Sequence, residues 1–130
     1  MKKKFSLENI IRTQITLNSV SAERINANDG ESFVIKRSDK YEILDLNEKT
    51  VSLKLVAKVF AEPEILFKIC LEYKASFEFN HKIDKAFVEK NIDGILLPLG
   101  SDTSYTISTL TKMLVDEYFI MPPIVSIDKD

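Results

Sequence analysis

The segment VSLKLVAKVFAEPEILFKICLEYKASFEF, residues 51–79, decides the fold of this chain. Apolar side chains occupy nearly every second position in residues 51–59 and again in residues 65–79. Because successive side chains of an extended chain point to opposite faces, this period of two predicts β-strands. The break at residues 60–64, which contains Pro63, lets the two strands fold back on each other. The segment therefore predicts a long antiparallel hairpin with one apolar face and one charged face.

Composition places the chain among ordinary globular proteins and predicts one domain over residues 1–130. Hydrophobic residues make up 45% of the sequence and charged residues 29%, values typical of a soluble protein. The formal net charge is −2, and no basic stripe follows the chain, so nucleic acid is not an expected partner. The single cysteine, Cys70, excludes an internal disulfide and agrees with a reducing compartment.

The first residues predict a cytoplasmic protein. Residues 1–5 carry the positive charge of a signal peptide, but Glu8, Arg12 and Gln14 interrupt the apolar run that such a peptide needs. No window approaches the length of about 18 apolar residues that would cross a membrane. We therefore expect neither export nor membrane insertion of this chain.

Weaker patterns predict short elements on both sides of the hairpin. Before it we expect a helical turn at residues 7–11 capped by Ser6, strands at residues 13–25, 32–37 and 41–46, and turns at residues 26–31 (around Asp29-Gly30) and 47–49. After it we expect a helix at residues 83–90 that Gly94 ends in a left-handed conformation, and an apolar run at residues 95–99 closed by Gly100. This order, strands first and helices last, predicts an α+β fold.

A longer helix is predicted near the C-terminus, starting at a cap formed by Ser101 or Asp102 and reaching Tyr118. Its apolar stripe is predicted at Ile107, Leu110, Leu114 and Tyr118. Residues 120–125 then form an extended tail, because two prolines forbid helix there.

Residues that would carry catalysis or bind a metal are scarce in the sequence. His81, the only histidine, is predicted to be an exposed turn residue. Cys70 is predicted in mid-strand, whereas reactive cysteines are activated at turns or helix N-termini. One histidine and one cysteine cannot supply a zinc site. We therefore predict no catalytic residue, metal or cofactor, and expect a protein that is not an enzyme and acts through its surface.

Apolar side chains remain on surfaces that the local pattern does not need for a core. Val56, Phe60 and Leu66 lie on the charged face of the hairpin, and residues 120–125 are apolar or proline. Exposed apolar area of this kind marks interaction sites. Coverage by the protein itself or by a second subunit is the competing explanation.

The order of elements, together with two proline landmarks, resembles the SecB family of export chaperones. Residues 95–98, Ile-Leu-Leu-Pro, resemble the family's apolar step into its long helix, and residues 121–124, Met-Pro-Pro-Ile, resemble its closing proline segment. The resemblance covers residues 15–125. It implies a four-stranded (or slightly larger) antiparallel sheet with C-terminal helices, assembled as a dimer of dimers. It also implies a holdase, which binds unfolded chains in apolar grooves without ATP.

Two departures distinguish this chain from the export members of the family. Those members are strongly acidic, whereas this chain is near neutral, and Cys70 and Asn26 stand where two of their motor-docking acids would fall. Docking to the SecA motor is therefore in doubt. The resemblance then favours a relative that serves outside export, such as a chaperone for one client or an antitoxin.

Two functional hypotheses follow from these observations. The first is a SecB-like chaperone, for export or for a dedicated client, with polypeptide contacts at Leu44, Leu46, Phe60, Leu66, Met121, Pro122 and Pro123. It would form a dimer or tetramer through residues 107–118 and the N-terminal strand. The alternative is a non-catalytic module that encloses a small apolar ligand against Phe67, Tyr73, Phe77 and Phe79.

Overall fold

A four-stranded antiparallel sheet forms the centre of the molecule. The computed structural model describes residues 5–25, 32–63, 66–122, 125 and 127. The strands are β1 (Ile10–Ile25), β2 (Val34–Leu46), β3 (Thr50–Glu62) and β4 (Leu66–Phe79), and the helices that follow are α1 (Lys85–Lys90), α2 (Ile92–Ile95) and α3 (Leu97–Val115). The strands lie in the order β1-β4-β3-β2. The predicted α+β class and the four-stranded sheet are confirmed.

The central hairpin of β3 and β4 has the two faces that the sequence predicts. Leu55 lies opposite Tyr73 and Val59 opposite Ile69, and every odd-numbered residue from 51 to 61 and from 67 to 79 is buried. The even-numbered residues between them are half-buried or exposed. We call the first surface the helix face and the second the outer face, because the helices pack on the odd-numbered side.

The two outer strands flank this hairpin and are the edge strands of the sheet. β1 pairs with β4, and β2 pairs with β3, all antiparallel. β2 is one continuous strand, so the prediction of two strands at residues 32–37 and 41–46 is wrong. The polar residues that separated them in the sequence, Ser38, Asp39 and Lys40, pair in register with β3.

The helices close the helix face of the sheet with a layer of apolar side chains. The buried ones on this layer are Val88, Ile92, Ile95, Leu96, Leu99 and Ile107. α3 lies over β4 and β1. Burial of each large apolar side chain contributes about 1.5–3 kcal/mol, so this contact fixes the position of α3 on the sheet.

Four boundaries in the helical part differ from the prediction. α1 begins at Lys85, after the Asp84 cap, and not at residue 83. Gly94 does not end a helix in a left-handed conformation, since it lies inside α2, where the ring of Phe5 occupies the space that a β-carbon would need. α3 starts at Leu97, before the predicted cap, because Pro98 falls in the first turn, where no backbone donor is needed. α3 ends at Val115, and Asp116 takes the left-handed conformation with φ of 60°.

The N-terminal turn is shorter than predicted. It is a 3₁₀ turn, Leu7–Asn9, capped by the Ser6 hydroxyl, which accepts a hydrogen bond from the Glu8 amide at 3.3 Å. β1 then begins at Ile10. The turn at residues 47–49 links β2 to β3 as predicted. The turn predicted at residues 26–31, with Asp29-Gly30, lies outside the described residues.

Candidate functional site

The residues predicted to contact polypeptide lie in several parts of the sheet and the tail. Phe60 lies on the outer face near the end of the hairpin, whereas Leu46 packs against the core at the other end of the sheet. Leu44 is exposed at a register shift of β2. Leu66 adopts a positive φ of 67° and also packs against the core.

The predicted contacts in the tail lie on the helix side of the molecule. Met121 packs against the core, and Pro122 is exposed. Pro123 lies outside the described residues. Met121 and Leu66 therefore pack against the core, whereas Phe60 lies on the outer face. The grouping of the predicted contacts into one groove stays a prediction.

A buried ion pair joins the edge strand β2 to α3. The Arg37 Nε donates to Asp39 Oδ1 at 3.0 Å, and Arg37 Nη2 donates to Thr103 Oγ1 at 3.0 Å. Thr103 in turn donates to the carbonyl of Gly100. The Asp39 side chain is 3% exposed and that of Arg37 11%. Burial of two charges is favourable only when they are paired and hydrogen-bonded, so this network holds β2 and α3 in a fixed relation.

One guanidinium nitrogen of this network has no partner in the described part of the chain. Arg37 Nη1 is buried and makes no hydrogen bond there. A buried donor of this kind lacks the hydrogen bond that normally offsets its desolvation. It therefore has capacity for one more acceptor, such as a carbonyl or carboxylate oxygen.

A second polar link connects the centre of the sheet to α3. The Tyr73 hydroxyl donates to Thr106 Oγ1 at 2.9 Å, and Thr106 donates to the carbonyl of Asp102. Burial raises the pKa of Tyr73 above its ordinary value of 10.0. Burial, together with the carboxylates of Glu89 and Asp93, also raises the pKa of Tyr41 on β2. Both phenols therefore stay neutral in the folded protein at ordinary pH.

The chain beyond α3 returns along this helix toward β2. The backbone amide of Phe119 donates to Thr111 Oγ1 at 3.0 Å, and the Ser104 hydroxyl donates to the carbonyl of Met121 at 2.7 Å. Val125 is buried in the core, and Ile127 forms a parallel bridge with Asp39. We call residues 119–122, 125 and 127 the C-terminal strap. Its described part lies between α3 and the open edge of β2.

Exposed apolar side chains lie on both edge strands and on the outer side of α3. On β1 these are Ile11, Leu17 and Val20, on β2 they are Val34 and Leu44, and on α3 they are Leu97, Tyr105 and Met113. Tyr105 is 74% exposed and Met113 76%. Across its 19 residues α3 carries only two charged residues, Asp102 and Lys112. A solvent-facing helix normally carries more charge, so this side has the character of a contact surface.

The histidine lies in a different environment from the one predicted. His81 is buried, with its ring 5.6 Å from that of Phe79 and 5.3 Å from that of Phe87. Nδ1 lies 2.9 Å from the carbonyl of Lys82. The prediction of an exposed turn residue is wrong because α1 folds back and places Phe87 over the turn.

The outer face has a cavity that is lined by described residues. It has a volume of about 360 Å³ and is lined by Arg12, Gln14, Thr50, Ser76, Phe77 and Glu78. Five of these six side chains are polar, so the lining does not suit an apolar ligand. Among the described residues, no group of three His, Cys, Asp or Glu side chains could hold a metal ion. No described helix is both long and apolar enough to cross a membrane.

Comparison with solved structures identifies the arrangement. A SecB-like chaperone from Mycobacterium tuberculosis, solved in complex with a ChAD peptide from the HigA1 antitoxin, superposes with a TM-score of 0.69. The match covers 88% of this chain and 91% of that one, at 12% sequence identity. The chain has the SecB-like fold. A protein of unknown function from Streptococcus agalactiae matches with a TM-score of 0.53 and 14% identity, over 86% of this chain and 95% of that chain.

The structural similarity is not accompanied by a detectable similarity in sequence to a known family or a curated protein. No family model matches the chain, and no curated protein matches it. At the identities above, the shared feature is the backbone arrangement. The function of this chain therefore depends on the surfaces that its own residues form on the SecB-like fold.

The polar residues that organise this region were not predicted from the sequence. Arg37 and Asp39 stand two positions apart on one strand, so their side chains share a face, and their opposite charges were a readable signal. Ser104 and Thr111 stand seven positions apart on α3 and therefore share a side of the helix. Nothing in the sequence marks these two hydroxyls as contacts for the strap.

Proposed function

We propose that this protein is a chaperone that binds non-native polypeptides without ATP and without catalysis. The observation that carries the proposal is the SecB-like fold, combined with the apolar surface at the open edges of the sheet. The neighbour from M. tuberculosis was solved with an antitoxin peptide bound, which supports a polypeptide as the ligand here. A cytoplasmic setting agrees with the single cysteine of the chain.

A dedicated client is favoured over general export in this proposal. The outer face mixes both signs of charge, with Lys54 paired to Glu42 at 3.1 Å and Lys36 paired to Glu62 at 2.6 Å. Such a face lacks the single-sign potential that steers docking of a charged partner. We therefore propose service to one client or a few, and no docking to the SecA motor.

Suppression of aggregation tests the proposed function. Citrate synthase unfolded in guanidinium chloride would be diluted into buffer, and its light scattering followed with and without a several-fold excess of this protein. We expect scattering to fall in proportion to the amount of this protein added. Serum albumin at the same mass concentration controls for nonspecific effects. Unchanged scattering at every excess would contradict the proposed function.

We also propose that the chain self-associates through β1 and the outer side of α3, as a dimer or tetramer. An open strand of 16 residues presents unpaired backbone groups for pairing with a second copy. The exposed apolar residues of β1 and α3 lie beside this edge, since α3 packs over β1 and β4. These are the surfaces that association would bury.

Mass measurement by light scattering after gel filtration tests the association. We expect a mass of two or four times 14.9 kDa. Val20→Lys places a charge on the helix-face side of β1, opposite Leu71, and is expected to shift the mass toward 14.9 kDa. Ser21→Lys, one position along and on the outer face opposite Cys70, is the matched control and should leave the mass unchanged. A wild-type mass of 14.9 kDa at tens of micromolar would contradict the proposal.

A further inference from the structure

The C-terminal strap has the side-chain pattern of a strand bound to a surface. Phe119 and Met121 pack against the protein, and Val125 is 2% exposed. Between them in sequence, Ile120 is 80% exposed and Pro122 is also exposed. Odd positions facing inward and even positions facing outward are typical of an extended chain. The strap is therefore an extended apolar segment lying on its own protein.

The contacts of the strap are those that any extended peptide could make. α3 supplies two hydroxyls, Ser104 and Thr111, which bond to backbone atoms of the strap and not to its side chains. The ring of Phe119 meets that of Phe67 edge-on at 5.3 Å. Hydrogen bonds to backbone give affinity without reading sequence, while apolar contacts select for hydrophobic side chains.

The open edge of β2 supplies the second side of this site. β2 is the last strand of the sheet order, so its outer edge presents backbone groups that can pair with an added strand. Ile127 uses this edge through its parallel bridge with Asp39. Its amide also donates to Asp93 Oδ1 at 3.4 Å, a long bond. This bridge shows that an extended segment can pair with the β2 edge, and a client strand would take its place.

We propose that the β2 edge and the adjoining surface of α3 bind an extended apolar segment of a non-native polypeptide, and that the C-terminal strap is its intramolecular competitor. This inference rests on the proposed function and names the surface that performs it. The client segment would displace the strap, pair with β2 by strand addition, and place apolar side chains where Phe119, Met121 and Val125 now lie.

The unpaired Arg37 nitrogen gives a client an advantage over the strap. Arg37 lies on β2 two residues from Asp39 and bonds to Thr103 on α3, next to Ser104. Its Nη1 atom is buried without a hydrogen-bond partner among the described residues while the strap is in place. A client carbonyl that reached Nη1 would gain a charge-assisted hydrogen bond. The site therefore fits a polypeptide backbone better than a purely apolar small molecule.

Competition by the strap lowers the apparent affinity for clients. When only a fraction of molecules has an open site, the apparent dissociation constant rises by the inverse of that fraction. A strap that is closed about ten times more often than open would weaken client binding about tenfold. A substitution that expels the strap should therefore strengthen client binding by about tenfold.

Two tail variants test the inference with reduced, carboxymethylated α-lactalbumin as a permanently unfolded probe. Val125→Asp puts a carboxylate at a buried position and expels the strap, whereas Ile120→Asp puts the same group at an exposed position of the same strap. We expect Val125→Asp to bind the probe about tenfold more tightly than wild type, and Ile120→Asp to bind it as wild type does. Circular dichroism and mass measurement confirm that each variant is folded and has the wild-type assembly.

Each of the other outcomes contradicts the strap proposal, the proposed function or the nature of the client surface. If wild type binds the probe and folded Val125→Asp binds it no more tightly, the strap is not a competitor, although the proposed function stands. If neither binds the probe, both proposals fail. If Val125→Asp binds no probe but doubles its mass, the surface is an interface between copies of this chain.

If Val125→Asp does not fold, hydrogen exchange on the wild-type protein tests whether the strap leaves when the probe binds. Addition of the probe should expose the amides of Phe119 and Ile127, because their hydrogen bonds to Thr111 and Asp93 are lost when the strap leaves. Amides of β2 should become better protected. Unchanged exchange at Phe119 and Ile127 with bound probe would overturn the inference.

Discussion

At the scale of single residues, the pair of Arg37 and Asp39 shows how β2 is tied to the rest of the molecule. Both side chains lie on the helix face of an edge strand, and their bond continues to Thr103 on α3. A buried pair of this kind contributes specificity of arrangement more than net stability. Its loss should therefore release β2 from α3 at the point where we place the client site.

Substitution of Arg37 by methionine tests the importance of the buried pair. Arg37→Met keeps side-chain volume and removes the guanidinium that faces Asp39, so we expect a loss of about 3 kcal/mol in the free energy of unfolding. Urea denaturation measures it. Lys36→Met is the matched control, since Lys36 pairs with Glu62 at the surface with both side chains about half exposed, and should cost less than about 1 kcal/mol. Equal changes in the free energy of unfolding for the two substitutions would contradict the burial of the pair of Arg37 and Asp39.

The hydroxyl of Tyr73 should make the protein sensitive to alkaline pH. Because burial raises its folded pKa above 10.0, the stability that comes from keeping this phenol neutral is fully present below pH 10 and is lost as pH rises through the folded pKa. Tyr73→Phe removes this dependence and costs about 1 kcal/mol for the lost hydrogen bond near neutral pH. Urea midpoints between about pH 9 and about pH 11 should fall less steeply for Tyr73→Phe than for wild type. Parallel slopes would argue against burial of the hydroxyl.

Some residue environments could not be predicted because they depend on distant contacts. His81 follows a strand and has charged neighbours in sequence, which indicated exposure. Its burial arises from Phe87, which α1 brings over the turn. The bond of Ser104 to Met121 likewise joins residues 17 positions apart. Sequence patterns predict the contacts that a residue makes with its neighbours in sequence, but not its contacts with residues that are distant in sequence.

At the scale of elements, the hairpin of β3 and β4 was predictable because one face is entirely buried. A strand with one buried face must keep its register, since a slip by one residue would turn every apolar side chain to solvent. The alternation in residues 51–79 is therefore compatible with only one strand register that buries the apolar side chains. The outer strand β1 alternates weakly, and its burial is correspondingly partial.

Neighbouring residues of β3 test the assignment of the two faces. Leu55 is 1% exposed on the helix face, so Leu55→Ala should cost about 2–5 kcal/mol through the cavity it leaves. Val56 is next to it on the outer face and half-buried, so Val56→Ala should cost about 1 kcal/mol or less. Urea denaturation of both variants checks the difference. A larger loss in the free energy of unfolding from Val56→Ala than from Leu55→Ala would contradict this assignment of the two faces.

The boundaries of β2 and α3 were less predictable for physical reasons that the structure makes plain. The polar run at residues 38–40 divided β2 in the prediction, although Asp39 is buried there by its pairing with Arg37. Pro98 and Gly100 delayed the predicted start of α3, yet proline is favourable in a first helical turn. At these places tertiary contacts or position within the helix outweigh the usual preference of the residue.

At the scale of the whole molecule, our two proposals place self-association and client binding at the two opposite edge strands of the sheet. β1 and β2 lie at opposite ends of the strand order. Association through β1 and the outer side of α3 would leave the β2 edge and its strap accessible in every subunit. A dimer or tetramer would then offer several client sites, and linked sites raise the effective affinity for a long unfolded chain. Neither the pairing of Ile127 with β2 nor this division of the edges could be read from sequence.

The most direct measurement compares one polypeptide in two states. Native α-lactalbumin and its reduced, carboxymethylated form share a sequence, so a difference in binding reports recognition of the unfolded chain alone. In a fluorescence titration with this protein we predict saturable binding of the unfolded form and none of the native form. Absence of binding to the unfolded form up to tens of micromolar, or equal binding of both forms, would contradict the assignment of this protein as a chaperone.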